Sequence, residues 1–90
     1  MLTPIYTRQF ERDLKRIKKQ RKKIEKLKII LCPLIEEEEL DPIHRDRKLI
    51  GGWIGRRECH IESDWLLIYK IEDDCIVFER TGSHSDLFKK

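Results

Sequence analysis

Apolar residues in the first half of the chain recur at spacings of three and four, the period of an amphipathic helix. Thr7 is available as an N-cap before the first run, and a polar break at 18–23 separates it from the second. Because Pro33 lacks an amide donor, we expect the second helix to kink or end near Cys32. The pattern predicts two helices in a hairpin. The apolar positions are Phe10, Leu14 and Ile17 in the first helix and Ile24, Leu27, Leu31 and Leu34 in the second.

The second half of the chain changes to three β-rich runs, at 56–62, 65–71 and 75–81, separated by two short polar breaks. Breaks of this length join antiparallel neighbours, so the runs predict a three-stranded meander. In the middle run both alternating sets of side chains are largely apolar, which is typical of a central strand. One set is Trp65, Leu67, Tyr69 and Ile71, and the other is Leu66, Ile68 and Lys70.

The first six residues are mostly apolar, and Pro4 among them confines a strand there to a sheet edge, where a missing amide donor is tolerated. Together the elements predict an α+β fold with an N-terminal edge strand. The helical hairpin should pack on one face of a small antiparallel β-sheet. A chain of 90 residues has room for one core of modest size, so we expect a single domain over 1–90.

Two segments outside these elements are candidates for carrying function. Turn residues bracket a loop at 43–50, which contains His44, Asp46 and Arg47. Loops held by a rigid scaffold often carry functional groups, so this loop is a candidate wall of a site. The residues at 83–88 predict a single helical turn or a loose tail.

Charge is distributed unevenly along the chain. Charged residues make up 41% of it, yet the net charge is only +3. Between Glu11 and Lys28, ten basic residues stand against three acidic ones, and the acidic run Glu36 to Glu39 follows. A basic face of this density fits a polyanion such as RNA, or an acidic protein partner. It equally fits the solvated side of two amphipathic helices.

No apolar run approaches the roughly 20 residues of a membrane span, and the N-terminus lacks the residue order of a signal peptide. We therefore expect a cytoplasmic protein that does not enter a membrane. The three cysteines, Cys32, Cys59 and Cys75, are an odd set without paired spacing. They predict free thiols, buried or half-buried, in a reducing compartment.

Two histidines and an aspartate flank the predicted meander at positions suited to acid–base chemistry. His60 lies near the end of the first strand, Asp64 in the following turn and His84 just after the third strand. The three converge if the middle strand is short. Such a set suits RNA cleavage, in which the 2′-hydroxyl loses a proton while the 5′-oxygen leaving group gains one. Histidine titrates near neutrality and serves either role, and a carboxylate orients it or acts as the base.

RNA cleavage also needs groups that hold the substrate. Arg47, Arg57 and Arg80 are the available fixed cations for the charge that builds on the phosphoryl oxygens. Trp65 and Phe88 stack on unpaired bases if they are exposed and belong to the core if they are not.

These residues also have ordinary structural interpretations. A lone strand histidine such as His60 is more often a satisfied structural residue, and Asp64 is a common turn cap. A metal site built from the three histidines and Cys59 lacks zinc-type pair spacing. The proposed RNA chemistry requires no metal or other cofactor.

The same residues belong to a longer set of motifs that runs along most of the chain and is densest in its second half. The set consists of Asp46-Arg47-Lys48-Leu49 with Gly52-Trp53, Arg57-Glu58-Cys59-His60, Asp64-Trp65-Leu66-Leu67-Ile68-Tyr69, and Arg80-Thr81-Gly82-Ser83-His84 with Leu87-Phe88. In order and spacing it resembles the YafQ-type toxins within the RelE/ParE superfamily of bacterial toxin-antitoxin systems.

The resemblance implies a RelE-like fold and an mRNA endoribonuclease that acts on ribosome-bound message. It also implies a cognate antitoxin that silences the toxin. By position, His60, Asp64 and His84 match the family's catalytic residues. Trp65 and Phe88 match aromatic residues that support the site. In this interpretation the basic helices bind ribosomal RNA.

One position departs from the family's pattern. Members typically carry histidine in a segment reading Asp-His-Pro-Leu, where this chain has Asp46-Arg47-Lys48-Leu49. Arginine binds phosphate but does not act as an acid or base near pH 7, so we expect slow catalysis if that position transfers a proton. Two alternatives stay open. One is a ParE-like member that inhibits a protein target without catalysis, and the other binds RNA without cleaving it.

Overall fold

The computed structural model describes residues 1–88, and this part of the chain contains five strands and three α-helices. The strands are β1 (Thr3–Tyr6), β2 (Arg47–Lys48), β3 (Arg57–Glu62), β4 (Trp65–Glu72) and β5 (Cys75–Gly82). The helices are α1 (Arg8–Lys19), α2 (Ile24–Ile35) and α3 (His84–Leu87), and short 3₁₀ helices stand at Pro42–His44 and Gly51–Trp53.

The strands form one sheet in the order β1-β5-β4-β3-β2. Antiparallel pairing of β3, β4 and β5 confirms the meander, whereas β1 runs parallel to β5. β1 lies at an edge of the sheet, where the missing amide donor of Pro4 is tolerated. The predicted α+β architecture is therefore confirmed. The sequence pattern does not predict β2, a two-residue strand within the loop at 43–50 that pairs with β3.

The central strand β4 is buried on both faces, as its alternation predicts. On the helix face of the sheet, Trp65, Leu67 and Tyr69 pack in a core with residues of α1 and α2. On the opposite face, called the loop face below, Leu66 and Ile68 pack against α3 and the loop before β3. The residues that cover the loop face are Leu49, Trp53, Leu87 and Phe88.

The start of α1 is fixed to β5 through Thr7. The Thr7 Oγ1 accepts a hydrogen bond from the backbone N–H of Phe10 at 3.0 Å, which confirms the predicted N-cap. The same hydroxyl donates to the backbone carbonyl of Glu79 at 2.9 Å. Phe10 and Ile17, one apolar stripe of the helix, are fully buried. The N-terminus of the capped helix is thereby fixed to β5 at Glu79.

Two features of the second helix depart from what the sequence predicts. α2 continues through Pro33 to Ile35, so it does not end near Cys32, the second of the two alternatives expected there. The proline removes one backbone hydrogen bond close to the C-terminus, and burial of Ile30 and Leu34 in the core offsets that cost. Cys32 is exposed, although a buried or half-buried thiol was expected. Cys59 is buried and Cys75 is half-buried, as predicted, and burial raises the pKa of the Cys59 thiol.

A buried carboxylate joins α1 to the end of β5. Asp13 is fully buried, and its Oδ1 accepts a hydrogen bond from Arg16 Nη1 at 2.9 Å. Its Oδ2 accepts from Arg80 Nε at 2.8 Å and from the backbone N–H of Thr81 at 3.1 Å. Because a buried carboxylate is tolerated only when its charge is compensated, these donors make Asp13 a structural anchor.

The residues after β5 form one helical turn, α3, which is the first of the two predicted alternatives. Ser83 Oγ accepts from the backbone N–H of Asp86, whose carboxylate accepts from the backbone N–H of Ser83. This is a capping box. Gly82, just before the turn, has a positive φ of 157°, and a Cβ there would collide with the guanidinium of Arg16. None of the helices described for residues 1–88 is long and apolar enough to cross a bilayer.

The Asp13 anchor predicts a measurable decrease in stability on substitution. Asp13→Ala should lower the free energy of unfolding by about 3 kcal/mol, because it leaves two arginines and a backbone amide without their acceptor. Urea denaturation of the purified protein measures this change. Glu62→Ala is the control, since Glu62 pairs with Lys26 at the surface and should change stability by no more than about 1 kcal/mol. Equal decreases in the two variants would contradict the assignment.

Candidate active site

The candidate active site lies on the loop face of the sheet. Across the strands His60, Leu66 and Gly82 stand in register, so His60 and the end of β5 flank the same buried leucine. Asp64 occupies the turn between β3 and β4, and His84 is the first residue of α3. Antiparallel pairing and tight connections therefore bring three residues that are distant in sequence to one corner of the sheet, where the ends of β3 and β5 lie beside the start of β4.

The predicted convergence of these residues is confirmed by their geometry. The ring centroids of His60 and His84 are 5.9 Å apart, and the ring planes are inclined by 44°. His84 Nδ1 lies 2.6 Å from Asp64 Oδ1, which also accepts the backbone N–H of His84 at 2.9 Å. A carboxylate at this position fixes the proton on Nδ1 and leaves Nε2 free for proton exchange. The catalytic roles of the three residues remain predictions.

The electrostatics of the site favour an ionised Asp64 and a neutral His60. The hydrogen bonds from the backbone and ring of His84 lower the pKa of the Asp64 carboxyl. Burial lowers the pKa of His60, and His84, Arg45 and Arg47 add to the effect while the nearby Glu58 opposes it. The Nδ1 of His60 is buried and has no hydrogen-bond partner among the described residues. His60 is therefore held in the neutral form, which is the form that a general base requires.

Arg47 lies on the same face as His60. It pairs in register with Glu58 of β3, and Glu58 precedes His60 by two residues, so all three point to the loop face. The side chain of Arg47 is 68% exposed, and its Nε donates to Glu58 Oε2 at 2.6 Å. Glu58 itself is only 2% exposed. Sequence reasoning missed Glu58, although its spacing of two from His60 was a usable signal.

Arg80 stands at the other side of the loop face. It is opposite Ile68 in register, and its guanidinium reaches the α1 side of β5 to bind Asp13 through both Nε and Nη2. Together with Trp53 and Arg56 it lines a cavity of about 350 Å³. The side chain is 22% exposed, so it retains access to a ligand in this cavity.

The prediction that Arg57 belongs to the same site is wrong. Arg57 pairs with Tyr69, so it lies on the helix face, opposite to the histidines. There it donates to Asp46 Oδ1 at 3.3 Å, and the hydroxyl of Tyr69 donates to the same oxygen at 2.6 Å. The physical reason is the alternation of a strand, because positions three apart face opposite sides.

The two predicted aromatic residues have different environments. Trp65 is fully buried on the helix face, and its Nε1 donates to Thr81 Oγ1 at 2.9 Å, so it is not available to stack on a base. That prediction of direct RNA contact is wrong. Phe88 is half-buried on the loop face, with its ring centroid 6.4 Å from that of His84. Trp53, which packs edge-on against Phe88 at 5.8 Å, is a second accessible aromatic that the sequence analysis did not select.

His44 braces the loop beside the site. Its Nδ1 donates to the backbone carbonyl of His60 at 2.8 Å, which fixes the end of β3. His44, Arg45 and His60 line a second cavity of about 330 Å³. The loop at 43–50 therefore does form a wall of the site, as expected.

The residues near the site do not form a recognisable metal centre. Cys59, one member of the set considered above, is fully buried on the helix face and points away from the histidines. Within residues 1–88 no group of three or more His, Cys, Asp or Glu side chains is placed to bind one metal ion.

The environment of His60 predicts a low pKa. In an NMR titration of the ring Hε1 resonances, His60 should titrate below the usual value of about 6.5, because burial penalises its charged form. Since the folded-state pKa is the lower one, the free energy of unfolding should fall as pH drops from about 6.5 through that pKa. His60→Gln assigns the resonance and should remove this part of the pH dependence. A pKa at or above the usual value would contradict the prediction.

The chain is similar in sequence to proteins of one family. Residues 2–89 match the family described as the bacterial toxin of type II toxin-antitoxin system, YafQ. The mRNA interferase toxin YafQ of Escherichia coli K12 is 42% identical over 84 residues, which cover 92% of this chain and 91% of the relative.

Solved structures agree with this sequence match. The crystal structure of the E. coli DinJ–YafQ complex is 39% identical and superimposes with a TM-score of 0.91, covering 98% of this chain and 99% of the other. A metal-bound toxin from Helicobacter pylori is 37% identical with a TM-score of 0.91, covering 98% of this chain and all of the other (100%). The chain belongs to the YafQ family of toxins of bacterial type II toxin-antitoxin systems.

Proposed function

We propose that this chain is an mRNA interferase, a metal-independent endoribonuclease that cleaves message on the ribosome. The observation that supports it most directly is the pair of imidazoles 5.9 Å apart, one of which is bound to a carboxylate. The name of the E. coli relative, mRNA interferase toxin YafQ, supports the same activity. The enzyme acts in the cytoplasm, where its substrate is found.

The reaction is an attack of the 2′-hydroxyl on the adjacent phosphate. One group removes the proton of this hydroxyl while another donates a proton to the 5′-oxygen that leaves. His60 and His84 serve this exchange, and Asp64 holds His84 with one nitrogen protonated and the other free. Because the two rings lie close to each other and to the carboxylate, acid and base are not assigned individually.

Arg47 and Arg80 stabilise the charge on the phosphoryl oxygens. They lie at opposite sides of the loop face, and each guanidinium is partly or largely exposed. Phe88, beside His84, supports a base of the substrate by stacking. Since Arg47 stands where the family pattern has histidine, this enzyme lacks one titratable group there and turns over slowly if that position transfers a proton.

Two macromolecular partners belong to this proposal, one supported by the family and the other by the charge distribution. The E. coli relative was crystallised with DinJ, which supports a cognate antitoxin that inhibits this chain. The basic helical hairpin supports contact with ribosomal RNA, because its lysines and arginines are mostly exposed. The exposed basic residues of this region are Arg8, Arg12, Lys15, Lys18, Lys19, Arg21, Lys23, Lys26 and Lys28.

The activity is tested in cell-free bacterial translation by mapping the ends of cut message. The unsubstituted protein should produce site-specific cuts, and His84→Ala should reduce their rate by about 100-fold or more, because one proton-transfer group is removed. Ser85→Ala, an exposed neighbour in the same helical turn, is the matched control and should cut normally. The cuts should persist when a chelator selective for transition metals is added at a concentration that leaves translation intact.

The same experiment separates the alternatives. Arrested translation with intact message would reject the nuclease and favour a member that binds RNA without cleaving it. Intact message with normal translation would favour a ParE-like inhibitor of a protein target. Cuts that survive in His84→Ala would reject the proposed catalytic set while retaining the nuclease.

Ribosome binding by the hairpin should depend on salt. In a plot of the logarithm of affinity against that of salt concentration, the slope should flatten by about 0.7 to 0.9 for each phosphate that a variant no longer neutralises. Lys19→Gln with Lys23→Gln removes two exposed charges of the hairpin, and cosedimentation with ribosomes measures the effect. The control is Glu36→Gln with Glu38→Gln, which removes two exposed acidic charges. An unchanged slope in the lysine variant would exclude these residues from the interface.

A further inference from the structure

A nearly buried carboxylate stands beside the proposed catalytic residues and has no part in the proton transfer described above. Glu58 is 2% exposed, and it lies on the loop face two residues before His60. Its carboxylate accepts a hydrogen bond from Arg47 Nε at 2.6 Å. We propose that Glu58 is a positioning residue that holds Arg47 over the scissile phosphate, an inference that rests on the proposed function.

The choice of nitrogen supports this role. Glu58 binds the Nε of Arg47, and none of the described residues accepts a hydrogen bond from the two terminal Nη groups. Those groups carry four N–H donors in a planar arrangement that matches two oxygens of a phosphate. The carboxylate thus fixes the stem of the guanidinium and leaves the part that recognises phosphate available.

The burial of Glu58 favours its contact with Arg47. A buried carboxylate is costly unless its charge is compensated, so Glu58 favours the arrangement in which Arg47 lies against it. Arg47 alone is 68% exposed, and a long side chain in water samples many rotamers. Immobilising it before the substrate arrives removes part of the entropy cost of binding phosphate.

The other side of the loop face has a second arginine held by a buried carboxylate. Arg47, Glu58, Ile68 and Arg80 follow one another in register across β2, β3, β4 and β5. At the far end, the buried Asp13 accepts from both Nε and Nη2 of Arg80. Both arginines that flank the row are therefore held by a buried carboxylate, but only for Arg47 do both terminal nitrogens lack an acceptor among the described residues. In this chain the usual family histidine is replaced by a residue whose partner on the neighbouring strand is suited to orient it.

The inference is tested by a double-mutant cycle on ribosomes programmed with a message that contains the mapped cut site. Single-turnover cleavage is measured for unsubstituted protein, Glu58→Gln, Arg47→Gln and the double variant. We expect Glu58→Gln to slow cleavage about tenfold, and to have no further effect once Arg47 is replaced. Glu72→Gln, the same chemical change at the exposed end of β4, is the control and should cleave normally.

Arg47→Lys provides a second test that leaves Glu58 with a cationic partner. Lysine keeps the charge but lacks a planar set of donors, so Arg47→Lys should still reduce activity, by less than Arg47→Gln does. Unsubstituted rates in either Glu58→Gln or Arg47→Lys would overturn the positioning role. Equal effects of Glu58→Gln in the presence and absence of Arg47 would also overturn it, because Glu58 would then act independently of the arginine.

A binding measurement separates this inference from the proposed function. The dissociation constant is measured for the same message with a 2′-deoxy nucleotide at the cut position, which binds but is not cleaved. If the unsubstituted protein never cleaves, the proposed function fails, and binding alone decides the role of Glu58. Weaker binding of equal size in Glu58→Gln and Arg47→Gln would support it, and unchanged binding in Glu58→Gln would overturn it.

Discussion

The structure depends on one constraint, which is that β4 is buried on both of its faces. Trp65, Leu67 and Tyr69 require the helical hairpin on one side, whereas Leu66 and Ile68 require a cover on the other. The chain supplies that second cover with loop residues and one short helix instead of a second layer of long helices. Because the cover is thin, polar side chains of the neighbouring strands reach solvent there, and a site forms at the same place.

Alternation along the strands then decides which residues belong to the site. His60 and Glu58 share a face of β3, while Arg57 and Cys59 share the other. A single-residue change of register would exchange the two sets and place the histidine in the core. The register of β3 with β4 therefore determines which side chains face the site as well as which form the core. The irregularity between His60 and Glu62 is confined to the end of the ladder, next to the turn that carries Asp64.

Much of the fold could be predicted from the sequence, since periodicity identified both long helices, the meander and the two-sided burial of β4. The convergence of His60, Asp64 and His84 was also accessible from the sequence. Short turns between antiparallel strands place the ends of β3 and β5 beside the start of β4. Arg57 was misplaced because it was selected by residue type without applying the alternation that assigns its face. Trp65 was kept as a candidate for base stacking although the alternation had already put it in an apolar set of the central strand.

Other features depend on tertiary contacts that no local pattern shows. The burial of Asp13 is one, because a charged residue in a basic helix gives no signal of its partners on β5. The continuation of α2 through Pro33 is another, since it results from packing of the residues around the proline. The pairing of β2 with β3 is set by two residues, too short a segment for periodicity to detect.

The short helix α3 has a consequence for how the site is maintained. Four residues do not form a stable helix by themselves, so the turn that carries His84 depends on its capping box and on the contact with Asp64. Local opening of such a segment requires far less free energy than unfolding of the sheet. His84 and His60 therefore belong to regions of unequal stability, one tied to a single turn and the other to the central strands. Separating the two rings requires that this turn unwinds and that Leu87 leaves the loop face, whereas the core on the helix face stays intact.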